Sequence, residues 1–298
     1  MTTKHSGMYA ALMTGLTDEG TYDPQRQKSL TEYVLKQGLA GLYVGGSSGE
    51  QGLLDTSELL EQQRDVATLA SGSSAHLIAH VGMPNLRDSL KLATQAKELG
   101  YHGLSALPPH SYPFSDEEIF QYYEELAAAT DLPLLVYEVP IRTGRPIGLD
   151  TLVRILALPN VAGIKFTSND LFKFSMLKRR CPDSAFFFGF DEIYLSAAAL
   201  GADGGIGTTY NILGKLYVAL HKAVSDRDLA TAQELQNTSQ IFVEALLETG
   251  VLPGMKAAFR AIGIDCGPTR APMQMRVKNG DDIMAKVMQN PEIKKWVA

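Results

Sequence analysis

Lys165 ends a short apolar run, Val161-Ala162-Gly163-Ile164, and precedes Phe166-Thr167-Ser168. If that run is a central strand, its last lysine meets apolar neighbours. Loss of hydration then disfavours the ammonium and frees an amine able to attack a carbonyl. A lysine there can equally snorkel to solvent or pair with a carboxylate, and position alone leaves both open. Tyr137 ends another such run, Leu134–Tyr137, ahead of Glu138-Val139-Pro140. A phenol at a strand end either packs as an aromatic or moves protons to and from a substrate oxygen. An amine on the neighbouring strand favours the second role. The turn Gly45-Gly46-Ser47-Ser48-Gly49-Glu50 surrounds two serines with glycines. Glycine lets a ligand approach the backbone, and successive N–H groups make an anion-binding hollow. With the hydroxyls of Ser47 and Ser48 it suits a carboxylate, while a plain tight turn explains the same residues. It lacks the lysine of a nucleotide-binding loop.

Other patterns carry less chemistry. His76 and His80 stand four apart in a short apolar run that ends at Gly82, which reads as a strand rather than a helical metal pair. No metal site and no cofactor are expected. Gly204-Gly205-Ile206-Gly207-Thr208-Thr209 resembles the loops where barrels bind phosphate. Asp191 and Glu192 nearby would repel that ligand. The two cysteines, Cys181 and Cys266, fit neither a disulfide framework nor a zinc spacing. The N-terminal apolar stretch is too short for a signal peptide, so a reducing cytoplasm is the simplest setting. Basic residues are scattered over a chain of net charge -6, against a nucleic-acid surface. No apolar run reaches the length of a membrane span.

These residues need a scaffold that gathers strand ends. Apolar runs at Tyr9–Met13, Gly41–Val44, Leu77–His80, Gly103–Ala106, Leu134–Tyr137, Val161–Lys165, Ala185–Phe188 and Gly204–Gly207 alternate with amphipathic stretches. The latter are Pro24–Gln37, Ser57–Ala70, Leu86–Leu99, Asp116–Ala129, Asp150–Leu158, Leu171–Arg179, Glu192–Leu200 and Ile212–Val224. Asp23-Pro24 and Ser115 with Glu118 are helix starts; Gly38 and Gly100 are helix stops. Strand–helix units with short connections, and no GxGxxG after the first strand, predict a (β/α)8 TIM barrel over 1–224. Helices alone follow, near Leu229–Glu248, Met255–Ile262 and Asp281–Met288. They predict a C-terminal helical extension over 225–298, packed on the barrel as one structural unit. In a barrel, chemistry sits where the strands end. That brings together the GGSSGE turn, Tyr137, Lys165, Gly189-Phe190-Asp191-Glu192 and Thr208-Thr209-Tyr210-Asn211.

The chain resembles the N-acetylneuraminate lyase and dihydrodipicolinate synthase superfamily of pyruvate-dependent class I aldolases. The resemblance runs over nearly the whole chain. It rests on GGSSGE (45–50), YEVP (137–140), GIKFTS (163–168), GFDEIY (189–194) and GGIGTTYN (204–211), in order and in register. It implies that Lys165 forms the Schiff base, Tyr137 shuttles protons, and Ser47 and Ser48 hold the pyruvyl carboxylate and relay protons. GFDE and GGIGTTYN are similar to the lyase branch. There Gly189, Asp191, Glu192 and Thr208 would bind the polyol tail of an open-chain sugar, with Thr167 beside the bond that breaks. The resemblance also implies a homotetramer.

The implied reaction is cleavage of N-acetylneuraminate to pyruvate and N-acetylmannosamine. Two departures bear on it. Arg142 is similar to the synthase branch, where an arginine meets a carboxylate. It keeps open a dihydrodipicolinate synthase-like or 2-keto-3-deoxy sugar acid aldolase activity on the same imine. Against the synthase, Lys165 is followed by Phe166-Thr167. The family often sends a tyrosine across a subunit interface from the loop holding Tyr112; here Ser111 takes that place and Tyr112 lies one residue on.

Overall fold

Short apolar strands need cover on both faces, which crossover helices provide. In the computed structural model, which describes residues 6–297, this produces a closed ring. β1 (Gly7–Ala11), β2 (Gly41–Val44), β3 (His76–His80), β4 (Gly103–Ala106), β5 (Leu134–Glu138), β6 (Val161–Phe166), β7 (Ala185–Phe188) and β8 (Gly204–Gly207) pair in chain order. Every pairing is parallel, and β8 closes on β1. Around it lie α1 (Pro24–Leu35), α2 (Thr56–Ala70), α3 (Leu86–Glu98), α4 (Asp116–Ala128), α5 (Pro140–Thr143), α6 (Leu149–Leu156), α7 (Leu171–Arg180), α8 (Tyr194–Ala199) and α9 (Tyr210–Ser225). The chain is a TIM barrel, as the alternation predicts. Asp23 caps α1 ahead of Pro24, and Ser115 with Glu118 forms the capping box of α4.

Alternate strand residues point inward. Tyr9, Tyr43, Ile78, Leu135, Phe187 and Ile206 pack as one buried cluster inside the barrel, separate from the layer between strands and helices. Side chains thus fill the lower barrel and leave the C-terminal rim for polar groups. β1 runs two residues earlier than the pattern predicts. Gly7 already pairs with Gly204. Beyond Ala11, the Met13 amide donates to the Asn211 side chain at 3.3 Å instead of to a strand.

The extension comprises α10 (Leu229–Thr249), α11 (Val251–Ala261), α12 (Gly280–Met288) and α13 (Pro291–Lys294). Its Phe242, Leu246, Met255 and Phe259 belong to the same buried cluster as the barrel's outer layer. α11 starts at Val251, ahead of the expected Met255, and so takes in Pro253 and Gly254. In a first turn no carbonyl awaits the missing proline N–H, so the residue is tolerated.

Candidate active site

β5 and β6 place Tyr137 directly opposite Lys165 in the sheet register. Both side chains are 3% exposed. Lys165 Nζ lies 4.1 Å from the centre of the Tyr137 ring and 4.3 Å from that of Tyr43. Burial lowers the lysine's pKa, so the free amine is easier to reach. Burial alone would raise the phenol of Tyr137. The charges of Lys165 and Arg142, with the Ser47 hydroxyl beside it, outweigh that and hold it below its ordinary value. A cation at the Lys165 position therefore makes Tyr137 a readier proton donor.

The neighbouring loops converge on this pair. Thr167 follows β6, and its amide donates to the Glu138 carbonyl at 2.8 Å. Gly189 must be glycine, because a Cβ there would meet Thr167 Oγ1 at 1.9 Å and Lys165 Cε at 3.4 Å. Ser47 opens a 3-10 turn after β2, and Ser48 Oγ lies 2.7 Å from Thr208 Oγ1 after β8. Asp191 is buried, and its Oδ2 accepts from the amide and hydroxyl of Thr209 at 2.9 and 2.7 Å. Burial and the adjacent Glu192 push its carboxyl up to about 7 against those two bonds. Asp191 Oδ1 and Thr167 Oγ1 are buried without a hydrogen-bond partner. Orphaned buried polar atoms of that kind can take up a bound hydroxyl. The phosphate alternative weakens here, because Asp191 already occupies the donors of Thr209.

Arg142 projects from α5 and lines a cavity of about 700 Å³ with Ser47, Gln51, Leu107, Ile141 and Met273. Glu192 is half-buried beside Asp191, and its carbonyl accepts from Gln240 of α10 at 2.8 Å. Tyr112 stays apart: it is 74% exposed, packs on Phe114, and lines a different hollow with Pro108 and Thr143. His76 and His80 sit on one strand about 13 Å apart by strand rise, too far to share a metal.

Several contributors carry no role in the sequence reading. Tyr43 sits inside a strand that reads as uniformly apolar. His80 lies beneath the site, T-shaped against Tyr137 at 6.0 Å; burial and the Lys165 charge push its pKa down to about 3, so the ring is neutral. Glu50 closes the serine turn with a left-handed backbone, φ 62°, and pairs with Lys256 of α11 at 3.1 Å. The signal for Tyr43 and His80 was the two-residue alternation, which turns both inward.

Residues 4–290 match the dihydrodipicolinate synthetase family. The chain belongs to that family. Within it, the N-acetylneuraminate lyase of Rhizobium meliloti (strain 1021) is 40% identical over 278 residues, 93% of this chain and 92% of the relative. Among solved members, CdNal from Clostridium difficile, in complex with mannosamine, superimposes with a TM-score of 0.93 at 28% identity, covering 99% of this chain and 100% of the other. The N-acetylneuraminate lyase of Fusobacterium nucleatum, complexed with pyruvate, gives 0.90 at 30% identity, over 98% and 97%.

Proposed function

We propose that the protein is a class I aldolase that cleaves N-acetylneuraminate to pyruvate and N-acetylmannosamine. The observation that carries this is the desolvated Lys165 amine set against Tyr137 in register. The lyase relatives favour the sialic acid substrate. Lys165 Nζ adds to C2 of the open-chain keto acid. The carbinolamine loses its hydroxyl as water with the proton of Tyr137, leaving an iminium and a phenolate. The phenolate takes the C4 hydroxyl proton as the C3–C4 bond breaks. The aldehyde departs, and the bond's electrons neutralise the iminium as an enamine. Tyr137 returns its proton to C3, and water added to the new iminium releases pyruvate and the amine.

Ser47 and Ser48 hold the keto acid's carboxylate and help relay protons. Thr167 stands at the breaking bond. Asp191, Glu192 and Thr208 receive the polyol tail, with Gly189 leaving room for it. Carboxylates suit adjacent hydroxyls because each oxygen accepts more than one bond. The enzyme works as a cytoplasmic homotetramer; among the described residues no helix is long and apolar enough to cross a membrane.

One observation favours a second reading. Arg142 lines the cavity beside Ser47 and carries a charge that reaches Lys165 and Tyr137. That guanidinium suits a further carboxylate on the aldehyde partner, as in a dihydrodipicolinate synthase-like enzyme or a 2-keto-3-deoxy sugar acid aldolase. The test is pyruvate release across sialic acids and 2-keto-3-deoxy acids, with borohydride trapping of pyruvate on the protein. A mass adduct on Lys165, absent from Lys165→Ala, with turnover of sialic acid supports the first reading. Turnover of a shorter or carboxylated partner alone supports the second, and no adduct on Lys165 removes both.

A further inference from the structure

The Lys165 amine has two aromatic faces against it, and only one belongs to the proton-carrying phenol. The other is Tyr43, on β2, four strands round the closed ring from β6. Its ring crosses the barrel interior to reach within 4.3 Å of Nζ. It is fully buried and fixed on several sides. Its hydroxyl donates to Ser105 Oγ at 3.0 Å. Its edge packs on Gly46, where a Cβ would meet Cε1 at 2.5 Å. The His80 ring packs tilted against it at 5.8 Å, and the Tyr137 ring packs edge-on at 6.3 Å. So placed, the ring cannot swing away from the amine.

Burial pushes the Tyr43 phenol well above its ordinary range, and its hydroxyl already donates to Ser105, so it is poorly suited to act as an acid or base. What it presents to Lys165 is a π face. Such a face attracts a cation by its quadrupole, most strongly where water is excluded, and does little for a neutral group. The nitrogen at that place changes charge during the proposed reaction: neutral as the attacking amine, cationic as the iminium, neutral again as the enamine.

We propose that Tyr43 is a catalytic residue whose ring face stabilises the iminium on Lys165, favouring loss of water from the carbinolamine. The step is the one already written: the C2 hydroxyl leaves with the Tyr137 proton, and the positive charge stays on Nζ between the two rings. This rests on the Schiff-base reading of Lys165. It adds a role for a side chain that neither donates nor accepts a proton.

The experiment replaces Tyr43 by phenylalanine and then by 4-fluoro-, 3,5-difluoro- and 3,4,5-trifluorophenylalanine in the full-length protein. Fluorine withdraws density from the ring face with little change of shape. The rate of borohydride-trappable adduct formation with pyruvate is read for each. Tyr43→Phe keeps the face and is expected to trap within about threefold of the unaltered protein. Each added fluorine then lowers the logarithm of the rate by a similar step, reaching about tenfold or more by the third. A flat series in variants that melt like the unaltered protein reduces Tyr43 to packing and overturns the proposal, while the Lys165 adduct itself stands. If the unaltered protein forms no adduct at Lys165, the Schiff-base reading fails and this one with it.

Discussion

At the scale of single residues, Lys165 and Tyr137 divide the work by charge. Burial makes the amine available, and the cation it becomes makes the phenol a better donor. Tyr137→Phe should therefore lower kcat by about 10²–10⁴-fold while Lys165 still yields a slowly formed trapped adduct, since the nucleophile is intact. Asp191 gives a pH signature. Its carboxyl, held up to about 7 by burial, is mostly protonated at pH 6 and mostly ionised at pH 8. Ionised, its unpartnered Oδ1 accepts charge-assisted bonds from the sugar tail, which are roughly twice as strong as neutral ones. KM for sialic acid should fall as pH rises through about 7, and Asp191→Asn should flatten that dependence. Stability moves the other way. The unfolded carboxyl ionises near its ordinary value of 3.8 and the folded one near 7, so between them the folded state holds more protons. Thermal stability from this group should be full below about pH 4 and lost as pH climbs through about 7, an effect missing in Asp191→Asn.

At the scale of elements, the serine turn is held from the far end of the chain. Glu50 is buried, pairs with Lys256 of α11, and accepts from the Arg270 amide at 2.7 Å, 220 positions away. Arg270 also forks onto Glu58 of α2 and bonds the Leu53 carbonyl at 2.7 Å. Lys256 adds a bond to the Pro268 carbonyl at 2.6 Å. Removing one partner of a buried pair strands the other charge, so Lys256→Met should cost about 3–5 kcal/mol in urea unfolding. Because Ser47 and Ser48 precede Glu50, the folded variant should also show a raised KM for the keto acid. The contrast with what the sequence discloses is physical. Strands and long helices are periodic and local, so GLYV, AFFF and the capped starts of α1 and α4 announce themselves. α5 does not, because at four residues it is too short to show a period, although a proline at the first helical position is favourable. The Lys165–Tyr137 pair is legible because both residues lie at the C-terminal ends of apolar runs, one residue short of where β5 and β6 finish, and a barrel collects strand ends. Tyr43 and the Glu50–Lys256 bridge are not. One depends on which way a residue inside an apolar strand points, the other on contacts between distant parts of the chain that no local pattern encodes.

For the whole molecule, the extension and the barrel share one core and one site. Gln236 of α10 donates to the Asp191 carbonyl at 3.0 Å, as Gln240 does to that of Glu192. The extension thus fixes the backbone that presents both carboxylates. The three most exposed large apolar side chains follow three successive strands. Tyr112 after β4, Ile141 on α5 after β5 and Phe172 on α7 after β6 are exposed at 74, 80 and 74%. Large apolar side chains that exposed and that close in topology are a cost in water unless another surface covers them. The proposed homotetramer supplies that surface from a second copy, and Ile141 and Arg142 lie on one short helix at the cavity wall. Covering this face would therefore also narrow the entrance beside Arg142. Ile141→Asp with Phe172→Asp places charges in the covered patch without touching Lys165 or Tyr137. Sedimentation should show a tetramer for the unaltered protein and a smaller species for the double variant. Because the Lys165 site is built within one chain, the dissociated variant should still form the trapped pyruvate adduct. Its KM for sialic acid should rise, since the polyol loses one wall of its entrance. A double variant that sediments as a tetramer would place the subunit contact elsewhere on the barrel.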